Sequence, residues 1–201
     1  PAAGDRTRGR RSVTATRGEP GLEREVGRVR GTSGGASLVV VAGIHGNEPA
    51  GIEAGRRVLA RLAKGDIAIR GEIVVIAGNL SALREGVRYH ERDLNRGWSD
   101  AQLAKLRTRP AESLVDEDLE QHELLEVLDA VQAQARGPVL LADCHTSSAP
   151  GVPFVLYGAS AAQRAFVQCF PIPVISGIVE QVEGVLSEFA GKRGWVTFSV
   201  E

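Results

Sequence analysis

A chain of 201 residues, 43% of them hydrophobic, is long enough to form one sizeable domain around a real core. Its 24 Lys and Arg against 25 Asp and Glu give a formal charge of -1, which excludes a global field for attracting nucleic acid or an anionic membrane. No apolar run approaches the roughly 18 to 20 residues of a bilayer span and no signal-peptide pattern opens the chain, so the expected location is the cytoplasm. Cys144 and Cys169 are too few for a disulfide framework.

Residues 1–35 are rich in Gly, Arg, Ser and Thr, show little apolar periodicity, and read as an N-terminal arm or edge structure. Arg10-Arg11 and the scattered arginines carry no interleaved aromatic residue, so a nucleic-acid contact is not expected of them. The remainder, 36–201, reads as one domain. Leu38-Val39-Val40-Val41-Ala42 is a short unbroken apolar run closed by Gly43, the pattern of a strand buried on both faces of a parallel sheet. Pro49 then opens a helix whose Ile52, Leu59, Leu62 and Ala63 recur at helical spacing up to Gly65. Ile73 to Ala77 predicts a second strand. Leu124, Leu128, Val131 and Ala135 predict a helix that Gly137-Pro138 stops, and Val139 to Ala142 predicts another buried strand. Shorter strands are expected at Phe154 to Tyr157, Val174-Ile175 and Trp195 to Val200, with helices near Ala161 to Cys169 and Val185 to Ala190. Alternation of the two kinds of element makes the class α/β.

The chemistry sits just past the ends of two of these strands, where ligands gather in open α/β sheets. Gly43-Ile44-His45-Gly46-Asn47-Glu48-Pro49 places an imidazole and a carboxylate three residues apart, and His145 follows its own strand in the same relation. Two histidines and a glutamate with an open fourth position form a recognised catalytic zinc set, so His45, Glu48 and His145 are the candidate ligands of one Zn2+ per chain. Cys144 adjoins His145 on an extended segment and should face the other way, as a core thiol. A ligating histidine needs its second nitrogen fixed. Asp93 is the first choice to do this for His45, while Asp143 is either the orienter of His145 or an ordinary strand-end acceptor. Between the ligand loops, Arg88 to Trp98 is dense in groups able to bind an anion. His90 and His122 read as surface or helix-face residues, and Trp98 and Trp195 as packing residues. A phosphate site finds no support, since neither a Walker loop nor a dinucleotide glycine fingerprint follows any strand.

HGNEPAG at His45 to Gly51, DLNR at Asp93 to Arg96 and DCHTS at Asp143 to Ser147 occur in the order and spacing of the succinylglutamate desuccinylase/aspartoacylase family, a branch of the zinc carboxypeptidase superfamily, which the chain resembles from about Val29 onward. The resemblance implies a zinc-carboxypeptidase-like fold, a mixed and largely parallel sheet flanked by helices. It also implies that His45, Glu48 and His145 are metal ligands and that Asp93 orients His45. Asn95 and Arg96 would bind the substrate carboxylate, Arg88 would polarise the scissile carbonyl or grip the substrate, and Glu201 would act as general base and acid. Lys192 and Arg193 lie where the family carries basic residues, without a definite placement. Relative to the family, 36–201 would be a catalytic domain without the smaller β-rich C-terminal part.

The implied activity is hydrolysis of the amide bond of an N-acyl amino acid or a related small amide, with that small molecule as the partner and neither nucleic acid nor membrane. Two other readings stay open: a zinc carboxypeptidase acting on peptides, and a zinc-binding module without turnover.

Overall fold

The computed structural model describes residues 13–14 and 21–201. Among the described residues eight strands form one mixed sheet in the order β1-β2-β4-β3-β5-β8-β6-β7. They are β1 (Val13–Thr14), β2 (Glu25–Arg30), β3 (Ser33–Ala42), β4 (Arg70–Ala77), β5 (Val139–Cys144), β6 (Val155–Tyr157), β7 (Val174–Ser176) and β8 (Val196–Val200). The centre is parallel: β3 pairs with both β4 and β5, and β5 with β8. Antiparallel pairs lie outside it, β1 with β2, β2 with β4 and β6 with β8, while β6 and β7 are parallel.

Among the described residues six α-helices cover the two faces: α1 (Ala50–Ala63), α2 (Leu80–Glu85), α3 (Asp100–Thr108), α4 (Asp116–Gln134), α5 (Ala161–Val167) and α6 (Leu186–Lys192). The period of two along β3 decides which face each residue serves. Val39 and Val41 join Val74, Ile76 and Leu141 against Leu103 of α3, Leu124, Leu128 and Val131 of α4, and Leu186 and Ala190 of α6. Ala42 meets Ile52 of α1 and Leu80 of α2, whereas Leu38 and Val40 pack in the cluster of Val155, Val167 and Phe198. Both Leu124 and Leu128 are 0% exposed, and burying each contributes about 1.5–3 kcal/mol. Trp98 and Trp195 are core residues of the same layer.

The described part of the tract read as an arm or edge structure forms the antiparallel edge of the sheet. Glu25–Arg30 is a sheet strand, and β3 begins at Ser33, ahead of the expected domain start at residue 36. A register shift between Glu25 and Gly27 breaks the alternation, so Val26 and Val29 are spaced unevenly although both pack inward. Arg10-Arg11 lies outside the described residues. The helices α2 and α3 are also additional to those expected from periodicity.

Beside β2 lies a buried charge cluster. Glu72 Oε2 accepts from Arg28 Nη1 at 2.9 Å and Arg30 Nε at 2.7 Å, and Oε1 accepts from Ser37 Oγ at 3.0 Å. Burial opposes its charge, yet the two guanidinium groups and the hydroxyl hold its pKa below the ordinary glutamate value. A depressed folded-state pKa means that this stabilisation is present above the unfolded pKa and is lost as pH falls through the folded one. Glu72→Gln is therefore expected to cost about 1.5–3 kcal/mol at pH 7. Urea denaturation of both proteins should show the gap closing as pH falls below the usual carboxylate range.

Candidate metal centre

The chain passes from β3 through α1 to β4 on one side, then returns to β5 on the other side of β3, so the loops after β3 and β5 meet at a topological switch point. The first loop turns at Gly43, whose φ of +68° is left-handed. At Gly46 a Cβ would come within 2.1 Å of the Ala82 backbone, so only glycine lets the loop press onto α2. Backbone bonds tie it down: Asn79 N–H donates to Gly43 O at 2.8 Å and Gly46 N–H to Arg88 O at 3.1 Å. After β5, His145 N–H donates to Val200 O at 2.8 Å, continuing the parallel ladder with β8.

These loops bring His45, Glu48 and His145 together, with one donor atom from each lying within 4.8 Å of the others. His45 Nδ1 is 3.0 Å from Glu48 Oε1 and His145 Nδ1 is 3.1 Å from Oε2. Each second nitrogen faces a different carboxylate, His45 Nε2 at 3.0 Å from Asp93 Oδ1 and His145 Nε2 at 3.1 Å from Asp143 Oδ2. Arg88 Nη2 lies 3.0 Å from His45 Nε2 and Asn95 Nδ2 3.2 Å from His145 Nε2 as well; the tautomer with a proton on each Nε2, donated to its aspartate, is the one that leaves the Nδ1 lone pairs aimed at the point Glu48 also faces. Asp143, open to either role from sequence, thus stands toward His145 as Asp93 does toward His45.

Arg88 spans the rim, donating from Nη1 to Glu48 Oε1 at 3.1 Å and from Nη2 to Asp93 Oδ2 at 3.5 Å. Asn95 is buried. Its Nδ2 donates to Asp143 Oδ2 at 3.3 Å, and its Oδ1 accepts from the N–H of Leu186, the buried first residue of α6, at 2.8 Å. Arg96 is exposed and donates to the Asn95 carbonyl at 2.7 Å. Glu201 is fixed through its backbone, exchanging reciprocal hydrogen bonds with Phe154 at 3.0 and 3.1 Å, one pair beyond the β6–β8 ladder. Arg88, Asn95, Arg96, Asp143 and Glu201 line, with the three candidate ligands, a cleft of about 560 Å³ that also includes Asn47, Thr146, Ser147, Ser199 and Val182.

The electrostatics suit a cation. Burial opposes ionisation of Glu48, but hydrogen bonds to the two imidazoles hold it well below the usual carboxylate range; Asp93 is likewise held at about 2. His145 is pushed up to about 11, because the Asp143 charge and the bonds to Asp143 and Glu48 outweigh burial. Burial, helped by the charges of Glu48 and Asp143, raises Glu201. Glu48, Asp93, Asp143 and Glu201 supply four negative charges, Arg88 and Arg96 two positive ones, and the imidazoles none when they act as ligands. Without a cation the two imidazoles, both raised by the surrounding carboxylates, carry the balancing charge; a divalent cation bound in place of their protons would leave the same balance, and the nitrogen and oxygen donors fit such an ion.

Other expectations fall outside the cleft. Cys144 packs against Ala42 and Ala142, and burial pushes its thiol up to about 12, far from a reactive thiolate. Lys192 pairs with Glu188, while Arg193 pairs with Asp129 and lies over the Phe189 and Trp195 rings.

Residues 34–175 match the family model described as the succinylglutamate desuccinylase/aspartoacylase catalytic domain. The chain belongs to this family. A curated succinylglutamate desuccinylase from Photorhabdus laumondii is 51% identical over 63 residues, covering 31% of this chain and 19% of the relative. The crystal structure of succinylglutamate desuccinylase from Chromobacterium violaceum superposes with a TM-score of 0.68 at 28% identity, covering 87% of this chain and 55% of that one. The enzyme of the same name from Vibrio cholerae shares the fold, with a TM-score of 0.68 at 17% identity, 87% of this chain and 52% of that one. The match thus spans about half the length of these family structures. Among the described residues no helix is long and apolar enough to cross a membrane.

Proposed function

We propose that the protein is a zinc-dependent hydrolase that cleaves the amide bond of N-acyl amino acids or related small carboxylate-bearing amides. One observation carries this reading: two imidazoles turn Nδ1 toward one glutamate and Nε2 toward separate aspartates, inside a cleft that also holds two arginines and a further glutamate. His45, Glu48 and His145 would hold the zinc, which when bound lowers the pKa of water and polarises a carbonyl.

The remaining work falls to the chain's own groups. Asp93 and Asp143 fix the ring tautomers. The Glu201 carboxylate accepts a proton from the attacking water and delivers it to the leaving amine nitrogen, an exchange worth about 10² to 10⁴ in rate. Arg88 offers N–H groups to the carbonyl oxygen as negative charge develops there. Asn95 and Arg96 pair with the substrate carboxylate, the Asn95 amide being held in place by Asp143 and Leu186 and Arg96 by the Asn95 carbonyl. The products are a carboxylic acid and an amino acid. Relatives named succinylglutamate desuccinylase support this substrate class.

A substrate panel tests it. Succinylated and acetylated amino acids should be hydrolysed well ahead of peptides; cleavage of peptides alone would support a carboxypeptidase instead, and zinc binding without turnover a non-catalytic module. Arg96→Ala should raise KM about 10- to 100-fold for carboxylate-bearing substrates, the size of one charge-assisted hydrogen bond. An equal loss on neutral amides would contradict the anchoring role.

A further inference from the structure

The loop between α2 and Leu94 carries two residues of the site, Arg88 and Asp93, yet has no regular structure between Val87 and Asp93. Its backbone is held from the opposite side by one side chain on the first turn of α4. Glu117 is 0% exposed. Its Oε1 accepts from His90 N–H at 2.7 Å and Asn79 Nδ2 at 3.3 Å, and its Oε2 from Glu91 N–H at 3.1 Å and Arg92 N–H at 3.4 Å. Among the described residues it forms no ion pair. Successive backbone N–H groups pointing inward make an anion-binding concavity, and here the anion is supplied by the protein. Burial penalises the charge, but the backbone and Asn79 bonds more than offset it and hold the carboxyl below its ordinary value.

The clamped residues lie between Arg88 and Asp93 in sequence. Arg88 reaches Glu48, and Asp93 reaches His45, so displacing His90 to Arg92 moves both partners of the first ligand loop together. Neighbouring side chains reinforce the hold: Arg92 donates to Asp118 and Gln121 at 2.8 Å each, and Gln121 donates to Gly97 O at 2.8 Å.

We propose that Glu117 is a positioning residue, whose buried carboxylate binds the backbone of residues 90–92 and thereby sets Arg88 and Asp93 against Glu48 and His45. This rests on the cation-dependent hydrolase reading for its consequence, though not for the clamp itself.

Amide hydrogen exchange in the wild-type protein should show His90, Glu91 and Arg92 protected, and zinc should slow their exchange further, because coupling between loop and site is reciprocal. Glu117→Gln keeps one acceptor oxygen but turns a donor toward the N–H groups. Exchange at residues 90–92 should quicken by about tenfold or more, with β3 and β5 unchanged. Zinc affinity and kcat/KM should each fall about 10- to 100-fold, the usual cost of losing an outer support. Glu126→Gln, on the exposed side of α4, should change none of these.

Unprotected amides in the wild type, exchange insensitive to zinc, or faster exchange in Glu117→Gln with unchanged zinc affinity would each overturn the proposal. The wild-type measurements decide it even if the variant does not fold. A protein that binds zinc but hydrolyses no N-acyl amino acid would remove the proposed function and leave the exchange and affinity results to judge Glu117.

Discussion

Replacing Glu201 with Gln is expected to lower kcat by about 10² to 10⁴ while leaving zinc bound at the same stoichiometry. The substitution keeps the shape and the backbone pairing with Phe154, so the strand end stays where it is. What disappears is a carboxylate able to take a proton from water and return it to an amine. Burial and the charges of Glu48 and Asp143 raise its pKa, the direction that makes a carboxylate a better base. Zinc content and steady-state kinetics on one N-acyl amino acid check this together. Loss of zinc in the variant, or a kcat within twofold of wild type, would assign the proton transfer elsewhere.

His145→Ala is expected to remove both bound zinc and measurable turnover. The ring contributes Nδ1 toward Glu48 and engages Asp143 through Nε2, so its loss removes a donor and leaves two buried carboxylates short of a partner. His45→Ala should behave alike, through Glu48 and Asp93. His122, on α4 and outside the cleft, supplies the comparison: His122→Ala should keep zinc and activity. Elemental analysis after dialysis, with circular dichroism to verify folding, separates the cases. A folded His145→Ala protein that retains one zinc per chain would refute the ligand assignment.

Much of this arrangement was legible in the chain because it sits where periodicity changes. The runs ending at Ala42 and Ala142 are unbroken and apolar since both faces of the central strands are covered, and the residues just beyond them are the ones the switch point exposes. The strand β2 was obscured by its bulge, which disrupts the alternation a reader looks for. The six residues of α2 are too few to show a period, though its end caps, Asn79 and Gly86, were readable as an N-cap and a left-handed C-terminus. For α3, Ser99 and Gln102 spell a capping box that was equally available.

Side-chain engagement was harder to read. Nothing in a DLNR tract shows that the asparagine amide is taken up by Asp143 and Leu186 while the arginine remains exposed. Nor does an acidic first turn on α4 distinguish Glu117, which binds backbone from 25 to 27 residues away, from Asp116, which faces solvent. Short-range pattern carries helix polarity; it does not say which acid meets a distant loop.

The most direct measurement is a zinc titration of chelator-treated protein while hydrolysis of an N-acyl amino acid is followed. Activity should start near zero, rise in proportion to added zinc and level off at one equivalent per chain. Full activity after chelation, or none at saturating zinc, would contradict a cation-dependent amidohydrolase built on His45, Glu48 and His145.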